Sequence, residues 1–154
     1  MRGSLTYLRF VLSNTASTDI IVTQDAANDL CGDDIFVALN GGCEAGDSAT
    51  WIWSRAAAAV SVGPVPYSTE WFTSPPDGLV DDQYDDSWTF AVEGQSFRYE
   101  NNGLTVFPEF NFEARPYDPP VGAEYELIEG AGVDGLIRIV LSPEESFIGV
   151  KDSG

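Results

Sequence analysis

The sequence predicts an all-β fold, either an antiparallel β-sandwich or a flattened barrel. Short apolar or alternating segments recur along the chain, and Gly, Pro, Asn or Asp residues separate them. Helical patterns are scarce, because the two candidate stretches, residues 26–30 and 56–59, are too short to form stable helices alone. The 154 residues therefore predict a single β domain, residues 1–154, in which residues 1–4 are either a cloning remnant or the start of an excised mature chain.

Each predicted strand is either rich in β-branched and aromatic residues or alternates apolar with polar ones. Residues 96–100, Ser-Phe-Arg-Tyr-Glu, show the alternation most clearly. Hairpin turns are predicted at Glu93-Gly94 and at Asn101-Asn102-Gly103, because Gly and Asn adopt a positive φ at low cost. The proline-rich residues 115–122 predict a surface loop, and residues 60–64 a strand followed by a turn. In addition to the strand within residues 60–64, the predicted strands are residues 5–12, 35–39, 50–54, 88–92, 96–100, 104–107, 124–128, 136–141 and 147–150.

The charge balance is strongly acidic, with 25 Asp and Glu residues against 7 Lys and Arg residues and a formal net charge of −18. We expect no nucleic-acid partner and no anionic membrane surface, because phosphate groups bind to basic patches. The chain has no His, which removes Ser-His-Asp arrangements and most zinc sites. No run of about 18 apolar residues occurs, so we predict no membrane span. The acidic residues suit a soluble extracellular protein, a cation-binding surface, or both.

Cys31 and Cys43 flank a predicted hairpin. A disulfide between them is expected if the protein is exported to an oxidising environment. Two buried free thiols are the alternative.

An aromatic, proline-containing tract precedes two adjacent aspartates and suits sugar binding. Sugar rings have apolar C–H faces that stack on aromatic rings, while their hydroxyl groups bond to acids and amides. The aromatic residues fall in a predicted loop and are candidates for exposure, with burial in the core as the alternative. The predicted ligand-binding residues are Tyr67, Trp71, Phe72, Gln83 and Tyr84, with Asp85 and Asp86 as further polar partners.

Four aspartates of the same region predict a calcium site, because calcium prefers several carboxylate and carbonyl oxygens. The spacing differs from that of an EF-hand loop. The alternative is that these acids cap turns and backbone N–H groups. The predicted metal ligands are Asp81, Asp82, Asp85 and Asp86, with the carbonyl of Gln83; a second acidic group contains Asp29, Asp33, Asp34, Glu44 and Asp47.

Several motifs of the central region resemble those of secreted β modules from polysaccharide-foraging bacteria. They are Gly63-Pro64, Glu70-Trp71-Phe72, Pro75-Pro76 and the run Tyr-Asp-Asp-Ser-Trp-Thr-Phe at residues 84–90. Such modules occur in surface glycan-binding lipoproteins or beside laminarinase-type catalytic domains. The resemblance covers roughly residues 51–107, and it continues through Gly94, Phe97, Tyr99 and Gly103.

The resemblance implies an extracellular or cell-surface module that binds polysaccharide, a β-glucan or a related glycan, without catalysing a reaction. One departure concerns the paired Trp of these modules, since Phe72 stands where the second Trp is expected. The acidic run of laminarinases, Glu-x-Asp-x-x-Glu, is absent. A pair of carboxylates across a cleft, as in a glycosidase, remains the alternative in so acidic a chain.

The N-terminal residues 5–10 resemble a strand that these modules carry at their C-terminal end. This implies a permuted module, an excision between tandem modules, or a strand donated between subunits. We expect residues 5–12 to pair with residues 147–150, within one chain or across chains. The alternative function is therefore a structural subunit of an extracellular filament, assembled by strand donation or calcium bridging.

Overall fold

The computed structural model describes residues 7–10, 12–14, 30–65, 68–107 and 112–151. These residues form antiparallel sheets in a sandwich-like all-β arrangement, which confirms the predicted fold class. The described part of the chain contains no closed barrel.

Most strands are short and pair with antiparallel neighbours. The strands are β1 (Tyr7–Phe10), β2 (Leu12–Asn14), β3 (Ser48–Trp53), β4 (Val60–Gly63), β5 (Phe72–Thr73), β6 (Ser87–Ala91), β7 (Ser96–Glu100), β8 (Leu104–Phe107), β9 (Glu113–Pro116), β10 (Ala123–Ile128) and β11 (Arg138–Ser142). The α-helices of the described residues are α1 (Asp34–Asn40) and the single turn α2 (Asp81–Tyr84). One sheet has the strand order β11-β10-β7-β6-β3-β2, a second has the order β1-β4-β5, and β8 pairs with β9.

The core lies on one face of the larger sheet and is mainly aromatic. Alternate residues of β3, β6, β7 and β10 point to this face, because successive side chains of a strand point to opposite sides. Trp88 is fully buried, stacks on Tyr99 at 5.3 Å between ring centroids and meets Trp53 edge-on at 5.4 Å. Such ring pairs add stabilisation beyond the apolar area that they bury.

Residues 35–39 form a helix, so the strand predicted there is wrong. The Asp33 carboxylate accepts hydrogen bonds from the backbone N–H groups of Ile35 and Phe36, at 2.8 and 3.2 Å. These bonds cap the start of α1, and Gly41 ends the helix with a left-handed φ of 73°. Phe36 and Asn40 lie one turn apart and are buried on the same side of α1.

Cys31 and Cys43 form a disulfide. The two residues flank α1, and the hairpin predicted between them is therefore wrong. The bond closes the segment that carries the helix.

The N-terminal strand pairs within the chain, but not with the residues that were expected. β1 pairs with β4, and β2 pairs with β3. Residues 147–150 form no strand, and they pack irregularly on the core through Phe147, whose ring meets Tyr99 at 5.1 Å. The predicted pairing of residues 5–12 with residues 147–150 is therefore wrong for the described residues, while residues 5, 6 and 11 lie outside them.

Candidate functional site

Trp71 and Phe72 are consecutive aromatic residues that are both exposed at an edge of the three-stranded sheet, and together they are here called the aromatic edge. Phe72 begins the edge strand β5, and it lies opposite Val62 of β4. The backbone N–H of Trp71 donates to the carbonyl of Val62 at 3.0 Å, which fixes the chain beside the sheet. The exposed fractions are 50% for Trp71 and 46% for Phe72. Tyr67, the remaining aromatic residue of the predicted tract, lies outside the described residues.

Gln83 and Tyr84 belong to α2, which follows the aromatic edge along the chain. Gln83 is buried, and its side-chain oxygen accepts a hydrogen bond from the Val80 N–H at 3.4 Å. The Tyr84 hydroxyl accepts from the Leu79 N–H at 3.2 Å, and the Arg55 guanidinium lies 4.0 Å from the centre of the Tyr84 ring. A ring face covered by a guanidinium is not free to stack on a sugar. These two residues therefore stabilise the turn that follows the aromatic edge.

The four aspartates predicted to bind calcium differ in their exposure to solvent. Asp81 and Asp85 are exposed, Asp82 is half-buried, and Asp86 is only 1% exposed. Asp85 accepts a hydrogen bond from the Asn102 side chain at 3.1 Å. No group of three or more Asp, Glu, Cys or His residues in the described ranges is placed to hold a metal ion. The calcium site stays a prediction without a counterpart in this part of the structure.

Members of the second acidic group serve local backbone groups. Asp33 caps α1, and the Asp47 carboxylate accepts from the Glu44 N–H at 2.9 Å. This is the capping role that the sequence offered as an alternative. Asp29 lies outside the described residues.

Asp86 belongs to a buried chain of hydrogen bonds that no pattern in the sequence predicted. The Asn101 amide donates to the Thr105 oxygen at 2.9 Å, and the Thr105 and Tyr99 hydroxyl oxygens lie 2.8 Å apart. The Tyr99 hydroxyl donates its proton to Asp86 at 2.8 Å, so the Thr105 hydroxyl donates to Tyr99. All four residues are at most 6% exposed. The network connects the residue before β6 with β7 and β8 in the interior of the protein.

Burial raises the pKa of Asp86 from 3.8 to about 7. Removal from water disfavours the charged carboxylate, the hydrogen bond from Tyr99 opposes this effect, and the nearby charge of Asp85 adds to it. The pKa of Tyr99 is also raised, and burial is the largest cause. Because so little of Asp86 reaches the surface, its carboxyl group suits a structural role that depends on pH.

A groove of about 700 Å³ lies beside β7, on the polar face of the larger sheet. This groove was not predicted from the sequence, because its residues come from separate strands and from the proline-rich loop before β10. The signal available in the sequence was the pair Pro119-Pro120, which interrupts strand pairing. Residues lining the groove include Thr89, Ser96, Arg98, Glu100, Pro120 and Val121.

Comparison of the chain with protein-family models, with curated proteins and with solved structures found no match. Within the described residues, no helix has the length and apolar character needed to span a membrane.

Proposed function

We propose that the chain is a secreted, non-catalytic module that binds a β-glucan-like polysaccharide through the aromatic edge. The observation that carries this proposal is the exposure of two large aromatic side chains at adjacent positions. Contact of large apolar side chains with water is unfavourable, and exposed aromatic side chains are available to contact a ligand. The apolar faces of sugar rings can cover such side chains while the sugar hydroxyls stay hydrated.

The buried position of Asp86 supports a binding role over a catalytic one. A glycosidase needs a carboxylic acid with a raised pKa beside the scissile bond, and a second carboxylate across the cleft. Asp86 has the raised pKa, about 7, but its side chain contacts Tyr99 in the core. A polysaccharide at the surface would not reach it.

Affinity electrophoresis in gels that contain soluble β-glucans tests the proposal. The parent chain should be retarded, and Trp71→Ala should weaken binding about tenfold, the effect of losing roughly 1.4 kcal/mol of aromatic contact. Phe112→Ala is the matched control, because Phe112 is also exposed, at 56%, but precedes β9 instead of lying on the aromatic edge. Equal retardation of the parent and Trp71→Ala, or no retardation by any polysaccharide, would contradict the proposal.

A structural subunit is the second candidate, and the position of the N-terminal strand favours it. β1 and β2 both lie at sheet edges. An edge position can be filled by an equivalent strand of another chain without rearranging the strands beside it. High-molecular-weight species in size-exclusion chromatography with light scattering would support this candidate, and a monomer at all concentrations would count against it.

A further inference from the structure

The groove beside β7 exists because two neighbouring strands separate early. β7 and β10 pair only at Phe97 with Ala123 and at Ser96 with Glu124. Continuing this antiparallel register would place Gly122 opposite Arg98 and Pro120 opposite Glu100. Proline has no N–H to donate to a ladder, so the pairing does not continue through Pro119 and Pro120. The space that opens between the two chain segments is the groove.

A buried side chain fixes the loop that forms the outer wall. The Asn101 amide donates to the carbonyl of Tyr117 at 2.8 Å, and the Tyr117 N–H donates to the carbonyl of Gly103 at 3.1 Å. These bonds hold the start of the loop beside the turn after β7, and the β10 ladder holds its end. The groove is therefore bounded by anchored segments on both sides, which is the usual condition of a preformed ligand site.

The groove offers hydrogen-bond donors and acceptors side by side. Arg98 and Glu100 pair at 2.8 Å with side chains 68% and 55% exposed, so both retain room for a ligand. Thr89 adds a hydroxyl group from the neighbouring strand β6; this hydroxyl also forms a hydrogen bond with the Thr50 hydroxyl at 2.9 Å. The opposite wall is apolar, with Pro119, Pro120 and a fully exposed Val121. The net charge contributed by the Arg98–Glu100 pair is zero.

We infer that this groove binds a segment of a neutral oligosaccharide chain. Each sugar hydroxyl both donates and accepts, which suits a surface where a guanidinium, a carboxylate and a hydroxyl lie together. The C–H faces of the rings suit the wall of Pro120 and Val121. The volume of about 700 Å³ lies within the range of small-ligand sites, about 300–1,000 Å³. The inference rests on the proposed glycan-binding function and adds a second contact region, on a different sheet from the aromatic edge.

An extended peptide is the less suitable occupant. A strand inserted beside β7 would gain main-chain hydrogen bonds on that side. On its other side it would face Pro119 and Pro120, which carry no N–H groups. A ligand that depends on a paired backbone gains less from this groove than one that depends on hydroxyl groups.

Isothermal titration of the full chain with a neutral β-1,3-glucan hexasaccharide tests the inference. Arg98→Ala should weaken binding about tenfold, through loss of a hydrogen bond from a charged donor. Arg115→Ala is a matched control, because Arg115 forms a similar exposed pair with Glu113 at 2.7 Å on β9, outside the residues that line the groove. Amide shifts of Ser96 and Gly122 during the titration, followed by NMR, should locate the ligand in the groove.

The outcomes separate this inference from the proposed function. Binding that Trp71→Ala weakens but Arg98→Ala leaves unchanged would overturn the groove and keep the aromatic edge. Weakening by Arg98→Ala with no effect of Trp71→Ala would keep the groove and overturn the aromatic edge. If neither the hexasaccharide nor any polysaccharide binds, both the aromatic-edge proposal and the groove inference would be overturned. Amide shifts of the groove residues that an extended peptide produces and the hexasaccharide does not would overturn the groove inference.

Discussion

Asp86 shows how one side chain can link this fold to pH. Its folded-state pKa of about 7 lies above the ordinary value of 3.8. At Asp86 the folded protein therefore holds a larger share of a proton than the unfolded chain does between about pH 4 and pH 7. The contribution of Asp86 to the free energy of unfolding is complete below pH 4 and is lost as the pH rises to 7.

We expect Asp86→Asn to remove this pH dependence while keeping an acceptor for the Tyr99 hydroxyl. Relative to the variant, the parent should lose about 2–4 kcal/mol of unfolding free energy between pH 4 and pH 8. Urea denaturation across this pH range measures the difference. Glu126→Gln is the control, because Glu126 is exposed on β10. A parent-minus-variant difference that stays constant with pH would show that Asp86 does not titrate in this range.

From the sequence, Asp85 and Asp86 were predicted to act at the same site, but in the structure Asp85 is exposed and Asp86 is buried. Asp85 ends α2 at the surface, whereas Asp86 precedes β6 and turns toward Tyr99. Spacing along a chain does not reveal on which side of a turn each carboxylate lies. Trp71 and Phe72 are exposed, whereas the sequence left both exposure and burial in the core open for the aromatic residues of this loop.

At the scale of elements, the alternating segments were predicted well. β7 and β8 have the predicted bounds, and the turn between them has a positive φ at Asn102 and Gly103, as expected. Helix α1 was missed because Ile35, Phe36 and Val37 have the composition of a strand. The cap at Asp33 and the left-handed Gly41 outweighed that composition, with support from the tertiary contact between Tyr125 and Asn40 at 2.8 Å.

The helix cap can be tested by comparing two neighbouring acids. Asp33→Ala should lower the free energy of unfolding by about 1 kcal/mol, because two backbone N–H groups lose their acceptor. Asp34→Ala should have the smaller effect, since exposed Asp34 contributes only its charge near the helix start. Thermal denaturation of both variants, with the disulfide intact, makes the comparison. Equal losses would mean that Asp33 acts through its charge and not as a cap.

At the scale of the whole molecule, the all-β class followed from the recurrence of strands and turns, but the partners of each strand did not. Period-two alternation sets which face a residue occupies and leaves its neighbouring strand open. β1 pairs with β4 of one sheet and β2 pairs with β3 of the other. Phe10 lies opposite Val60, whereas Leu12 lies opposite Trp53. No local pattern in the sequence predicts that these two short strands pair with different partners.

Removal of the N-terminal segment is the change that we expect to affect the whole molecule most. Deleting residues 1–14 removes β1 and β2, and it exposes one edge of β4 and one edge of β3. We expect a lower urea midpoint and a tendency to associate, because uncovered edges pair with other strands.

A synthetic peptide of residues 1–15 should bind the shortened protein and restore the midpoint, whereas the same peptide with Leu8→Pro and Arg9→Pro should not. Neighbouring residues of a strand send their N–H groups to opposite sides, so one of these two prolines must remove a hydrogen bond to β4. Rescue by the added peptide would show that the position can be filled across chains, as strand donation requires. An unchanged midpoint without peptide binding would show that residues 1–14 contribute nothing to the fold.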